Sequence, residues 1–138
     1  MATNFQFSVA VHILAGLAKA GKPVTSGYIA KSVNTSPSFV RRVLARLSHA
    51  GLAKTATGKA GACWLGRNPK DITLLDVYRA VEAPRAFAIH DYPESPACPV
   101  SRRIKTALGS ALDQVQEEMD SGLRDIRITD ILAEIDRK

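Results

Sequence analysis

The apolar positions of the first third of the chain recur at helical spacing in successive segments. Over residues 5–19 they lie three and four positions apart, which predicts a helix, and "GKP" at 21–23 ends it. A second, short helix follows with Thr25 or Ser26 as its N-cap, because a hydroxyl there accepts a hydrogen bond from a free backbone N–H. Two helices are therefore predicted before the segment "NTSP" begins.

A third predicted helix lies within "NTSPSFVRRVLARLSHAGL" and has a well-formed start. Ser36 is its predicted N-cap, Pro37 takes the first helical position, where a missing N–H costs nothing, and Gly51 is its predicted C-cap. Its three arginines lie roughly opposite an apolar side. That apolar side consists of Phe39, Val40, Val43, Leu44 and Leu47. This helix is expected to pack on a scaffold and to present its cations outward.

After the third helix the pattern changes from helical to strand-like. "LAKTATGKAGACWLG", residues 52–66, predicts two short strands around a glycine-rich turn. The order helix, short helix, helix, hairpin is that of a winged helix-turn-helix. The sequence therefore predicts a mainly α fold with a small β-hairpin wing, and a winged helix-turn-helix domain over residues 1–82.

A long helix is predicted from about residue 101 to 121, after a proline-rich loop over residues 83–100. Its apolar positions form a stripe at three- and four-residue spacing. A small domain has little else to cover such a stripe, so a second subunit is expected there. Residues 101–138, with a last helix capped by Thr129, are therefore predicted to form the dimerisation region. The predicted interface residues are Ile104, Leu108, Ala111, Leu112, Val115 and Met119.

The charges are distributed unevenly along the chain. Residues 1–66 contain eight lysines and arginines and no aspartate or glutamate, whereas residues 67–138 contain 11 bases and all 13 acids. The two halves therefore carry +8 and −2. A surface that faces phosphates has to be free of carboxylates, because the DNA backbone repels them. The acid-free half is therefore expected to bind nucleic acid.

A helix with a cationic outer side and free N–H groups at its start is suited to the DNA major groove. The start of the preceding helix can contact the DNA backbone, and the wing can reach the DNA minor groove or its phosphates. The predicted DNA contacts are Thr25, Ser26, Tyr28, Ser36, Ser38, Arg41, Arg42, Arg46, Lys54, Thr55, Thr57 and Lys59. The sequence predicts a homodimer on double-stranded DNA, since two such helices must reach half-sites about 34 Å apart.

Three stretches carry a family resemblance: "YIAKSVNTSPSFVRRVLARLSHAGL", "GKAGACWLGRNPKDITLLDVYRAVE" and "DIRITDILAEI". They resemble the Rrf-two (IscR- and NsrR-type) winged-helix transcription regulators, and the resemblance covers nearly the whole chain. It implies a cytoplasmic homodimer that binds a pseudo-palindromic operator, usually as a repressor.

Many members of that family hold an iron–sulfur cluster through three cysteines in the loop before the long helix. Here the corresponding loop, "APRAFAIHDYPESPACPVSRRI", contains Cys98 alone, and Cys63 lies in the predicted wing, where it is expected to pack. Such a cluster normally needs four protein ligands. The chain is therefore most similar to the cluster-less branch of the family, and neither a metal nor a cofactor is expected.

Two interpretations of Cys98 remain open. Cations at Arg102, Arg103 and Lys105 and a helix N-terminus would stabilise a thiolate, which makes Cys98 a candidate oxidant sensor. Equally, Cys98 can be a small packed residue at a helix entry. A third possibility is a small-molecule effector bound by the loop at residues 83–100, because loops of this length are often functional.

Other classes of protein fit less well. No Ser/His/Asp set, phosphate-binding loop, nucleotide fingerprint or paired carboxylates stand out, so no catalytic residue is predicted and the chain is not expected to be an enzyme. A winged helix that binds only proteins would more naturally show a mixed or acidic recognition side. The sequence has neither an apolar run of about 18 residues nor a signal pattern, so a cytoplasmic location away from membranes is expected.

Overall fold

A computed structural model describes residues 5–56 and 61–137 of the chain. The described helices are α1 (Gln6–Ala20), α2 (Ser26–Val33), α3 (Pro37–His49), α4 (Leu74–Ala80), α5 (Pro99–Arg124) and α6 (Ile128–Ile135). The described strands are β1 (Val24–Thr25), β2 (Ala53–Thr55) and β3 (Ala62–Leu65). The predicted order of helix, short helix, helix and hairpin is confirmed.

The predicted caps of α2 and α3 are confirmed, with Thr25 rather than Ser26 at the start of α2. Thr25 Oγ1 accepts a hydrogen bond from the Tyr28 N–H at 3.0 Å, and Ser36 Oγ accepts one from the Phe39 N–H at 3.2 Å. One boundary differs by a residue, because Ala50 is the C-cap of α3 and Gly51 follows it with a left-handed φ of 78°. A glycine at that position reverses the chain at little steric cost and directs it into the wing.

The three strands form one antiparallel sheet in the order β1-β3-β2. Strands β2 and β3 are the predicted hairpin, and Lys54 lies opposite Trp64 across it. Strand β1 was not predicted, because two residues are too few for an alternating pattern to be visible. Val24 of β1 pairs with Cys63 of β3, so the sheet connects the wing to the start of α2.

The chain divides into two compact units, one formed by residues 1–83 and 123–138 and the other by residues 84–122. The first unit holds a hydrophobic core to which α1, α2, α3, the sheet and α4 all contribute. The apolar side predicted for α3 faces this core, with Phe39 half-buried and the other members buried. The largest fully buried side chains are Ile13, Leu14, Ile29, Leu47, Leu52, Ile72 and Ile128.

Helix α6 belongs to the first unit, which differs from the predicted grouping of residues 101–138. Ile128 is completely buried there, and its N–H donates to the Ile72 carbonyl at 2.9 Å. The helix also starts before the predicted cap at Thr129, since Arg127 is its N-cap. Backbone pairing between these segments is a long-range contact, so the local sequence pattern does not reveal it.

The second unit consists of the proline-rich segment packed on its part of α5. Arg85 pairs with Asp113 at 2.7 Å, and the Ala86 N–H donates to Gln116 Oε1 at 3.1 Å. Although α5 has 26 residues, none of them is buried. Within residues 5–56 and 61–137, no helix is long and apolar enough to span a membrane.

Candidate nucleic-acid interface

The turn between α2 and α3 has a defined backbone. Asn34 adopts the left-handed conformation at φ 66°, and its N–H bonds the Ala30 carbonyl at 2.8 Å. Asparagine tolerates this conformation better than most residues do. The turn therefore ends α2 sharply and lets α3 begin only two residues later, at the Ser36 cap.

The start of α3 is open to solvent and favours an anion. Ser36 and Ser38 are exposed, and their hydroxyl oxygens lie 3.4 Å apart. The first N–H groups of a helix lack carbonyl partners within the helix, and its dipole is positive at that end. The first turn of α3 carries no acidic residue. A phosphate group is the natural ligand of such a helix start.

Two arginines on the outer side of α3 keep their charge available. Arg41 and Arg42 are both exposed, and in residues 5–56 and 61–137 neither forms an ion pair within 4.0 Å. The Arg42 guanidinium lies 5.3 Å from the centre of the Phe39 ring, which is a cation–π contact. The structure thus brings both predicted arginines to the same exposed surface as the two serines.

Arg46 has different surroundings from Arg41 and Arg42. Its Nη1 donates to the Val81 carbonyl at 3.3 Å and to Glu82 Oε2 at 3.2 Å. The side chain is therefore bound to the end of α4, although the sequence pattern groups it with the other two arginines.

The wing contributes two described residues to the predicted surface. Lys54 and Thr55 are exposed on β2. The other predicted wing contacts, Thr57 and Lys59, lie outside the described residues.

A cleft of about 420 Å³ lies away from this surface, between α1, α2 and α6, and a larger one of about 650 Å³ lies between α2 and the start of α3. Thr25 and Tyr28 of the predicted set line the larger cleft. Three exposed polar residues there were missed by sequence reasoning, namely Lys31, Asn34 and Thr35. Lys31 belongs to the acid-free half, so the charge distribution already contained a signal for it.

The two cysteines differ in their surroundings. Cys63 in β3 is 1% exposed, and its thiol donates to the Val24 carbonyl at 3.2 Å. Burial raises the pKa of the Cys63 thiol, which keeps it neutral, and the prediction of a packed strand residue is confirmed. Cys98 is half-buried just before α5, where its Sγ accepts a hydrogen bond from the Ser101 N–H at 3.5 Å.

Comparison with known proteins agrees with this architecture. Residues 3–134 match the Rrf2 family, described as iron-dependent transcriptional regulators. The chain belongs to the Rrf2 family. YwnA of Bacillus subtilis, named as an HTH-type transcriptional regulator, is 38% identical over 130 residues, which cover 94% of this chain and 96% of YwnA.

Solved structures of Rrf2 regulators and related proteins share the fold. One, described as a DNA-binding protein, has 35% identity and a TM-score of 0.74 and covers 92% of this chain and 98% of its own. CymR, described as the global cysteine regulator of B. subtilis, has 23% identity and a TM-score of 0.68, covering 97% of this chain and 98% of its own. The likeness to CymR shows the fold alone. The Rrf2 family match and the likeness to YwnA show that the chain is a transcriptional regulator and not an enzyme.

The iron implied by the Rrf2 description does not fit the donor set of this chain. Cys98 is the one thiol in the segment before α5, and one thiolate with His90 and Asp91 nearby in the sequence is too few for a cluster. In the described part of the chain, no three His, Cys, Asp or Glu side chains are grouped as metal ligands would be. A four-ligand cluster has no supporting residues here.

Proposed function

We propose that this Rrf2 regulator is a homodimeric repressor that binds a pseudo-palindromic operator through α3 and the wing. The observation that carries the proposal is the exposed start of α3, where Ser36, Ser38, Arg41 and Arg42 form an acid-free surface with no ion pair to either arginine among the described residues. Phosphates and base edges are the partners that such donors suit. Thr25 and Tyr28 line a cleft that extends to Pro37 at the start of α3. The proposal also includes, from the sequence, Ser26, Lys54, Thr55, Thr57 and Lys59.

The proposed dimer contact is the apolar stripe of α5. Its predicted members are half-buried, apart from the exposed Ala111 and Val115, and they extend over residues 104–119 of the 26-residue helix. An apolar stripe of this length left partly in water is typical of a surface that a partner covers. A second copy of the chain is the proposed partner, because two recognition helices are needed for two half-sites.

Cys98 is the proposed switch for DNA binding. Cys98 is half-buried just before α5, and the Ser101 N–H at the start of that helix donates to its sulfur at 3.5 Å. In the proposed reaction peroxide oxidises the thiol to a sulfenic acid and is itself reduced to water. The added oxygen has to fit beside the start of α5, so the oxidised state is expected to disturb that helix start and weaken operator binding.

The test is operator affinity measured by fluorescence anisotropy with DNA from the protein's own promoter region. Reduced protein is compared with protein treated with hydrogen peroxide, for the wild type, Cys98→Ser and Cys63→Ala. We expect peroxide to weaken binding at least tenfold in the wild type and in Cys63→Ala, which retains Cys98. Cys98→Ser should bind equally well with and without treatment.

Equal responses of the wild type and Cys98→Ser would contradict the thiol switch. A small-molecule effector would then be favoured, because the second unit holds a cavity of about 290 Å³. Its lining residues are Pro84, Arg85, Phe87, Ala88, Ile89, Gly109, Leu112 and Asp113. Gly109→Leu would fill this space, because a Cβ at position 109 already lies 3.7 Å from Ile89 Cδ1. This variant should abolish the response to such an effector.

A further inference from the structure

Arg46 is bound inside the first unit in a way that its two neighbours on α3 are not. A single nitrogen, Nη1, donates to the Val81 carbonyl at 3.3 Å and to Glu82 Oε2 at 3.2 Å. Arg41 and Arg42 lie about one turn earlier and form no ion pair among the described residues. An arginine that binds a DNA phosphate is not expected to form an ion pair with a carboxylate of its own subunit.

The position of Arg46 is explained by the end of α4. That helix ends at Ala80 with Val81 as its C-cap, and the last carbonyls of a helix have no N–H partner within it. Val81 is 1% exposed, so its carbonyl has limited access to water, and the guanidinium supplies the missing donor. A cation also stabilises the negative end of the helix dipole. Arg46 therefore joins the C-terminal half of α3 to the end of α4.

Glu82 has an unusual backbone at the same place. Its φ is 51°, in the left-handed region that a glutamate rarely adopts. This left-handed residue ends α4, since the Ala83 N–H donates to the Tyr78 carbonyl at 3.1 Å. The Arg46 ion pair is a second contact at the same residue. Glu82 and Ala83 are also the last residues of the first unit before the chain continues into residues 84–122.

We infer that Arg46 is a positioning residue, which holds the recognition helix against Val81 and Glu82 and leaves DNA contact to Arg41 and Arg42. The inference rests on the proposed DNA binding by α3. It replaces the prediction that all three arginines of α3 contact DNA.

Salt dependence separates a positioning arginine from one that binds a phosphate. Each phosphate contact contributes about 0.9 to the slope of log affinity against log salt concentration. We expect Arg46→Met to weaken operator binding about three- to tenfold while the slope stays that of the wild type. The matched control, Arg41→Met, should weaken binding and reduce the slope by about two, because a dimer carries two copies of the arginine. A slope reduced by about two in Arg46→Met would overturn the inference.

Glu82→Gln tests the same inference without changing α3. A positioning pair predicts that this variant also loses affinity, about two- to fivefold, at an unchanged salt slope. If Arg46 instead contacts DNA, removing a nearby carboxylate leaves affinity equal or raises it, and that result would overturn the inference.

The exchange Arg46→Glu with Glu82→Arg is the most direct control. We expect the double variant to recover part of the affinity lost in Arg46→Glu, because the exchange restores the ion pair but not the hydrogen bond to the Val81 carbonyl. No recovery at all would contradict a positioning role. Circular dichroism melting of each variant identifies any that fail to fold. Absence of operator binding by the wild type itself would instead refute the proposed function on which the inference rests.

Discussion

The two units of the chain bury their apolar side chains to different extents. In the first unit, residues from α1, α2, α3, α4, the sheet and α6 share one core in which many side chains are fully buried. In the second unit, the residues of α5 up to Gly122 supply no buried side chain. The proline-rich segment covers one part of the helix through Arg85 and Ala86, and the rest of its apolar stripe stays partly exposed.

This difference indicates separate tasks. A unit with its own core can hold the recognition helix at a fixed position, because close packing resists deformation. A helix without buried residues gains its stability from association, so its state depends on what binds it. The first unit is therefore expected to determine how DNA is bound, and the second to determine whether two copies bind together.

The largest effect is expected from a charge placed on the α5 stripe. Val115 is 42% exposed, so Val115→Asp costs the single subunit little, whereas in a dimer it buries an unpaired carboxylate. We expect the dimer dissociation constant to rise about a hundredfold or more, roughly 3 kcal/mol. Sedimentation equilibrium measures this. Gln114→Asp adds the same charge at an exposed neighbouring position and should leave the dimer intact; equal behaviour of the two variants would place the interface elsewhere.

A matched pair of valines compares the two units directly. Val77 in α4 is completely buried and Val100 in α5 is 66% exposed, so the same change to alanine removes the same atoms from opposite environments. We expect Val77→Ala to lower the free energy of unfolding by about 2 kcal/mol and Val100→Ala by under about 0.5 kcal/mol. Urea unfolding at fixed protein concentration checks both values. Equal losses would show that α5 is as well packed as the core.

A smaller effect is expected on the DNA-binding side of the first unit. Arg41→Ala removes an exposed cation that has no ion-pair partner among the described residues, so stability should change little. Operator affinity should fall about tenfold, or roughly 1.4 kcal/mol, while the dimer persists. Anisotropy and sedimentation on the same sample separate the two properties. Loss of the dimer together with affinity would indicate a folding role for Arg41.

The smallest effect is expected at high pH. Burial raises the pKa of the Cys63 thiol above its ordinary value of 9.0, so the folded state keeps this proton where the unfolded state releases it. Stability therefore falls as pH rises above 9.0. Cys63→Val removes the thiol and should flatten this decline in urea unfolding measured between pH 8 and pH 10. Parallel curves for the two proteins would mean that other groups cause the decline.

The sequence predicted the first unit better than the arrangement of its last helix. Thr25, Ser36 and Pro37 are local signals, since each acts within the four residues that follow it, and the structure confirms the helices that they start. The pairing of Ile128 with Ile72 joins segments far apart in sequence, so no periodicity indicated that α6 returns to the first unit.

The candidate DNA-binding surface also depends on long-range contacts that the local sequence pattern does not predict. Arg41, Arg42 and Arg46 look alike in the sequence, as three cations on one side of a helix without acids. Only the fold brings Glu82 beside Arg46, because Glu82 follows Arg46 by 36 positions in the sequence. Lys31 and Thr35 line the cleft between α2 and the start of α3, next to the turn at Asn34. The left-handed backbone of Asn34 is not specified by the hydrophobic pattern of the sequence.

The central claim is that the acid-free half of the chain binds DNA phosphates as a dimer. The most direct measurement is the affinity of the wild-type protein for its own promoter DNA as a function of salt concentration, with the stoichiometry determined on the same complex. We predict two subunits per operator and a log–log slope of about −4 or steeper, since several cations per subunit displace counterions. Binding that is absent, or that does not change with salt, would contradict the account.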